Sequence, residues 1–184
     1  MILKLEERLE GAIGERGRFT GYLSDGKKDA TYDYQHIDWE RHYSGKAYYG
    51  ISPVKIIQNG TGRKGVCRWI GWDLDVEEEP KNFCRIITKV NPQFFCYRTS
   101  SNRWHVHHYL DEWTDVEECK KIAQEYETKW KKIWKKGVDT SLSLPKGYTI
   151  EEGKPGGWLF MPYCPHEDLK NKNLCGYSPS GKPL

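Results

Sequence analysis

Gly65-Val66-Cys67-Arg68-Trp69-Ile70-Gly71-Trp72-Asp73-Leu74-Asp75 decides the fold. The run is apolar, aromatic and β-branched until its last three residues, the pattern of a strand that enters a core and ends at its edge. Residues two apart on a strand share a face, so Asp73 and Asp75 project together while Val66, Ile70, Trp72 and Leu74 point the other way. Two carboxylates about 4 Å apart at an effective dielectric near 20 repel by about 4 kcal/mol. Water at a solvated strand terminus relieves that repulsion, and so does a divalent cation at a site for phosphate chemistry. The pair alone leaves both readings open.

Outward from this strand the pattern alternates between element types. Asn59-Gly60-Thr61-Gly62-Arg63-Lys64-Gly65 reads as a hairpin-like connection; it lacks Walker spacing and no helix follows it directly. Residues 48–55 read as a short strand, residues 14–50 as a polar, Tyr- and Gly-rich stretch of loop and short elements, and residues 1–13 as a short helix. After Asp75, Glu77-Glu78-Glu79-Pro80 and the 3.6 spacing of Phe83, Ile86, Ile87 and Val90 predict a helix that Asn91-Pro92 stops. Strands over 94–98 and 103–110 follow, joined by a tight Ser100-Ser101-Asn102 turn. Thr114-Asp115-Val116-Glu117 reads as a capping box. It opens a long helix with Val116, Cys119, Ile122, Ala123, Tyr126, Trp130, Ile133 and Trp134 on one stripe. Val138-Asp139 enters another strand, and the apolar segment 158–163 follows a Gly/Pro-rich loop. The order β-α-β-β-α-β is that of a split, ferredoxin-like unit. The expected class is α+β, one domain with a smaller N-terminal α/β subdomain (1–65) and an RRM-like subdomain (66–184) that share a cleft.

Composition narrows the function classes. With 29 Lys+Arg against 26 Asp+Glu the net charge is +3, so an anionic partner must be met by local patches. Eight Trp and twelve Tyr exceed the needs of a small core, which points to rings that line or stack on a ligand. Six cysteines without a Cys-x-x-Cys pair indicate a reduced, cytoplasmic protein. Cys164, His166 and Cys175 offer three zinc ligands but no fourth, so zinc is not expected. The N-terminus lacks a signal-peptide stretch, and no run of about 18 apolar residues reads as a membrane span.

Alternation across 103–110 puts Arg103, His105, His107 and Tyr109 on one face and Trp104, Val106 and Leu110 on the other. Ser101, Arg103 and His105 then cluster around one turn as a hydroxyl, a guanidinium and an imidazole, a set suited to a phosphate tail. Arg98 on the preceding strand is a further candidate for that duty, and Asp139 is a candidate third acid. Lys129, Lys131, Lys132, Lys135 and Lys136 end the long helix without an acid among them. Such cations suit a helix C-terminus and also DNA phosphates; Lys129, Lys132 and Lys136 are the candidate DNA contacts.

Taken in order, Asp73-x-Asp75, then Thr99-Ser100-Ser101-Asn102-Arg103-Trp104-His105, then Val138-Asp139 resemble the three motifs of the archaeo-eukaryotic primase superfamily. Its primase-polymerases from phages and plasmids also carry a lead-in similar to Trp39-Glu40-Arg41-His42-Tyr43-Ser44-Gly45 with Gly50-Ile51-Ser52-Pro53. A later stretch resembles Gly156-Gly157-Trp158-Leu159-Phe160-Met161-Pro162-Tyr163, and a tail resembles Gly181-Lys182-Pro183-Leu184. The resemblance covers roughly residues 35–184. Asn102 and Arg103 stand where that family usually has glycines; Asn suits the left-handed backbone a tight turn demands. The resemblance implies the primase fold and a DNA-directed nucleotidyltransferase. In it Asp73, Asp75 and Asp139 hold two Mg²⁺ or Mn²⁺ ions, and Ser101, Arg103, His105 and Arg98 face the triphosphate of an NTP or dNTP. It further implies a single-stranded DNA template and a helicase domain or protein beyond the C-terminus. Two other classes stay open: a nucleic-acid-binding accessory module without efficient catalysis, and a glycosyltransferase that uses Asp-x-Asp for a nucleotide sugar's metal.

Overall fold

The computed structural model describes residues 17–22, 28–34, 37–99, 101–135, 138–140, 159–165, 176–178 and 180–183. The helix expected over 1–13, Ser100, Lys136, Trp158, His166 and Cys175 lie outside the described residues. The central element is β5 (Gly62–Leu74), the strand that carries the acids, and the strands packed beside it are β4 (Val54–Asn59), β6 (Phe95–Arg98), β7 (Trp104–Asp115), β8 (Val138–Thr140) and β10 (Gly176–Tyr177). Every neighbouring pair is antiparallel. The path runs β10-β6-β7-β5-β4, and β8 pairs the end of β5 that β4 does not reach. Two helices cross over this sheet, α2 (Pro80–Val90) between β5 and β6 and α3 (Val116–Trp134) between β7 and β8.

Both helices seat on one face. Phe83 of α2 stacks on Trp104 at 4.1 Å, and Trp130 of α3 meets Trp72 edge-on at 5.2 Å. Cys84 lies against Cys96 and Cys67 against Cys119, all four as buried free thiols. Trp72, Leu74, Trp104 and Val106 are fully buried there, each ring or branch contributing about 1.5–3 kcal/mol by leaving water. The helix starts follow local chemistry: Pro80 occupies the first turn of α2, where its missing N–H is not needed. At α3 the cap is Asp115, whose carboxylate accepts from the Glu117 N–H at 2.8 Å. The capping residue is thus one position later than Thr114, because β7 keeps its extended backbone to Asp115.

A second sheet, in the order β2-β1-β3-β9, is built from β1 (Gly17–Tyr22), β2 (Lys28–Tyr34), β3 (Ala47–Ile51) and β9 (Leu159–Phe160), with α1 (Trp39–Tyr43) leading into β3. Residues 14–50 therefore hold three strands and a helix where loop and short elements are expected, and the short elements are sheet strands. The reading over 48–55 also splits: Ser52-Pro53 ends β3 in one sheet and begins β4 in the other. A subdomain boundary at 65/66 falls inside β5; the change of sheet comes at Ser52-Pro53, and β9 returns late in the chain to the first sheet. Tyr49, Ile51, Leu159 and Met161 of this sheet pack on Trp69 of β5, so it covers the face that the helices leave open. His42 pins α1 to the segment after β9. It accepts from the Tyr49 N–H through Nδ1 at 3.4 Å and donates from Nε2 to the Pro162 carbonyl at 2.7 Å. Burial pushes its pKa down to about 4.

Candidate active site

A single row of register partners crosses the covered face of the larger sheet. Tyr97 of β6 pairs with His105 of β7, His105 with Asp73 of β5, and Asp73 with Asp139 of β8. Residues opposite one another on antiparallel strands share a face, so two acids and an imidazole that lie far apart in the chain stand side by side. His105 Nε2 is 3.6 Å from Asp73 Oδ1. Asp75 leaves the strand two residues later and Asp73 feels its charge together with that of Asp139.

The electrostatics of Asp73 follow from this crowding. Its carboxyl is half-exposed, yet its pKa is pushed up to about 6, first by burial and then by Asp75 and Asp139, with Arg103 opposing. A carboxylate held among acids at a strand end is a donor set short of positive charge. Asp73, Asp75 and Asp139 are oxygen donors of the kind Mg²⁺ and Mn²⁺ take, and a cation would relieve the repulsion that raises Asp73. Among the described residues no three His, Cys, Asp or Glu side chains converge closely enough to hold a metal ion by themselves. A cation here would draw its remaining ligands from water or a bound phosphate, as Mg²⁺ ordinarily does.

The turn between β6 and β7 sits beside the row and is tightly built. The Thr99 N–H donates to the Arg103 carbonyl at 2.9 Å, the Asn102 N–H to the Thr99 carbonyl at 3.0 Å, and the Arg103 N–H to Thr99 Oγ1 at 3.0 Å. Asn102 adopts φ 64, the left-handed conformation that its short polar side chain tolerates. Ser101 is exposed, its hydroxyl 3.0 Å from that of Thr99. Arg103 reaches back toward the acids, donating to the Asp75 carbonyl at 3.1 Å and facing Glu77 at 3.3 Å.

Arg98, the helix lysines and His105 stand in three different settings. Arg98 is 6% exposed; it donates to the Asn102 carbonyl, to Asn102 Oδ1 and to the Glu78 carbonyl, with its guanidinium over the Trp104 ring at 4.5 Å. Its donors hold the turn, so Arg98 is a buttress rather than an arm free to reach a phosphate. Lys129 and Lys132 are exposed on α3, behind the sheet from Asp73, with Lys129 over the Tyr126 ring at 5.2 Å. His105 is covered: it is 6% exposed, and burial pushes its pKa down to about 4, which keeps the imidazole neutral.

What covers His105 is Tyr97 and the Phe160 carbonyl, which the sequence reading did not single out. Tyr97 Oη lies 3.2 Å from His105 Nδ1, 2.9 Å from His107 Nε2 and 2.8 Å from the Phe160 carbonyl. Tyr109 Oη is 3.2 Å from His107 Nδ1. Period-two spacing places His107 and Tyr109 on the face of His105 from the sequence, and Tyr97 joins them only through the pairing of β6 with β7.

No protein-family model matches this chain, and no curated protein sequence matches it. Among solved structures it is similar to the polymerase domain of Mycobacterium tuberculosis ligase D in complex with DNA. That likeness has a TM-score of 0.47 and 12% identity over 95% of this chain and 82% of the other. No described helix is long and apolar enough to cross a membrane.

Proposed function

We propose that this chain is a DNA-directed nucleotidyltransferase of the primase-polymerase type, working on an NTP or dNTP along a single-stranded template. The observation that carries the reading is the row in which His105 and Asp139 flank Asp73 in register. It supports the meeting of three separate motifs in one cleft, as does the strand order β6-β7-β5-β8 with α2 and α3 on a shared face, which suits the split β-α-β unit expected from the sequence. Asp73, Asp75 and Asp139 would hold divalent ions, which when bound lower the pKa of an attacking 3′-hydroxyl and neutralise charge on the leaving pyrophosphate. Ser101 and Arg103 lie on the triphosphate side of the row, where the rigid turn fixes their approach and a guanidinium matches phosphate oxygens bidentately. His105 supplies a neutral hydrogen-bonding group beside Asp73, and the protein contributes no covalent nucleophile. Lys129 and Lys132 would add salt-sensitive template contacts away from the chemistry, and Lys136 is a further candidate for such contacts.

Primer extension with dNTPs and Mn²⁺ tests this reading. The wild type extends a primed template, and Asp73→Ala with Asp75→Ala abolishes extension; activity in the double variant would rule out the metal centre. A second reading, an accessory module that binds single-stranded DNA without efficient catalysis, is favoured by the lack of a ready three-ligand cluster among the described residues. Calorimetry separates the two, since that module binds DNA but takes up no metal-dependent nucleotide.

A further inference from the structure

We propose that Glu77 is an internal competitor of phosphate at Arg103: its carboxylate holds the guanidinium, and an entering polyphosphate must displace it. Two anchored backbones set this pair. Residues 75–79 belong to no helix or strand, yet the segment is fastened on either side of Glu77. Val76 is buried and its N–H donates to the Leu74 carbonyl at 2.7 Å. The Glu78 carbonyl accepts from Arg98 at 2.7 Å and from Trp104 Nε1 at 3.0 Å. Between these anchors the Glu77 side chain turns outward and is 62% exposed. Arg103 stands on the closed turn, and Arg98 ties that turn to the same segment by donating to the Asn102 carbonyl as well as to that of Glu78. Arg103 spans the gap, with Nη2 3.3 Å from Glu77 Oε1 and Nη1 3.1 Å from the Asp75 carbonyl.

Relative strengths decide which partner keeps the guanidinium. An exposed ion pair shifts an equilibrium by about fivefold at most, because water screens the charges and two long side chains lose freedom. Bidentate bonding of a guanidinium to phosphate oxygens is worth about tenfold to a hundredfold. A polyphosphate therefore takes Arg103 from Glu77, and its affinity is lowered by the strength of the contact it breaks. The exchange needs only side-chain rotation, since Val76, Glu78 and the turn hold both backbones in place. When pyrophosphate leaves, Glu77 is at hand to reclaim Arg103, so the contact that weakens entry also favours release. This role takes its anion, the tail of a triphosphate, from the nucleotidyl-transfer reading.

Inorganic tripolyphosphate, titrated by NMR in the presence of EDTA, tests the competition without metal, base or catalysis. The salt is held at about 0.1 M, where charges more than about 10 Å apart are largely screened. Four proteins form a cycle: wild type, Glu77→Gln, Arg103→Gln and the double variant, each checked for folding by its thermal melt. Glu77→Gln keeps the shape of the side chain, removes its charge and tightens tripolyphosphate by about threefold. Arg103→Gln weakens binding, and in that background Glu77→Gln brings no comparable gain, because there is no guanidinium left to release. Equal affinity in the wild type and Glu77→Gln overturns the proposal. So does a gain of the same size in the Arg103→Gln background, which would make Glu77 a general source of repulsion, and so does a lack of tripolyphosphate binding by both the wild type and Glu77→Gln. Failure of the wild type to bind a nonhydrolysable nucleoside triphosphate with Mn²⁺ counts against nucleotidyl transfer, while the tripolyphosphate cycle still decides the role of Glu77.

Discussion

Two neighbouring rows cross the larger sheet one residue apart in register. Tyr177, Cys96, Val106 and Trp72 face the helices; Gly176, Tyr97, His105, Asp73 and Asp139 lie on the side covered by the smaller sheet. The same strands thus present an apolar wall and a polar track. On the helix side packing outweighs hydrogen bonding: among the described residues the indole nitrogens of Trp72 and Trp130 are buried without a partner, a loss of about 1–3 kcal/mol each that ring burial must offset. Under the smaller sheet the order is reversed, and both nitrogens of His107 and the Tyr97 hydroxyl have partners. Fold stability belongs to the first row. The second concentrates polar groups and charge whose arrangement is explained by a ligand.

The comparison is broken most severely from the apolar side. Trp72→Ala removes the ring that Phe94, Tyr126 and Trp130 surround and should cost about 3–5 kcal/mol in urea denaturation, the range for emptying a large aromatic site. A loss below about 1 kcal/mol would mean that the wall is not what holds the sheet.

Much of the apolar row was legible because it depends on local pattern. The alternation of Ile70, Trp72 and Leu74 and the 3.6-residue stripes of α2 and α3 state their own faces. Asn102 likewise announces its left-handed turn. The covered row was legible in residue type but not in burial. His105 is hidden by Phe160, which belongs to a strand some fifty-five residues later, and no periodicity within β7 reports that. The strands within 14–50 were legible only as short elements for a similar reason: their partners are one another and a two-residue strand from the far end of the chain, and β1 and β2 are polar in pattern. Val66 was placed on the face of Ile70, but the irregular register between Cys67 and Trp69 gives that side to Cys67 instead. The surroundings of Arg98 were not legible, because two of its partners are backbone carbonyls and the third, Asn102 Oδ1, is brought to it by the turn.

Acid sharpens the comparison from the other side. His42 and His105 have folded pKa values of about 4, below the ordinary 6.5. The unfolded chain therefore takes up their protons first, and stability, complete above pH 6.5, falls as pH drops toward 4. For a depression of that size each contributes about 3 kcal/mol over the window. His42→Gln should flatten part of this decline in thermal melts from pH 7 to pH 4, and an unchanged slope would remove His42 from the account.

The smallest effect has an unusual sign. The folded pKa of Asp73, about 6, lies above its ordinary 3.8, so the folded state binds the proton more tightly, and the carboxylate's cost to folding builds as pH rises from about 3.8 and is complete above about 6. Asp73→Asn should raise the melting temperature by a few degrees at pH 7.5, with the gain gone by pH 4, where both side chains are neutral. A variant less stable than the wild type at pH 7.5 would show that Asp73 is held by favourable contacts rather than crowded by acids.

Titration of Mn²⁺ with a nonhydrolysable nucleoside triphosphate, followed by calorimetry in the wild type and in Asp139→Asn, tests the central claim most directly. If Asp139 joins Asp73 and Asp75 around the same cations, the wild type shows saturable uptake that needs metal and nucleotide together, and the single neutralisation weakens it at least tenfold. Equal binding by the two proteins would contradict the account.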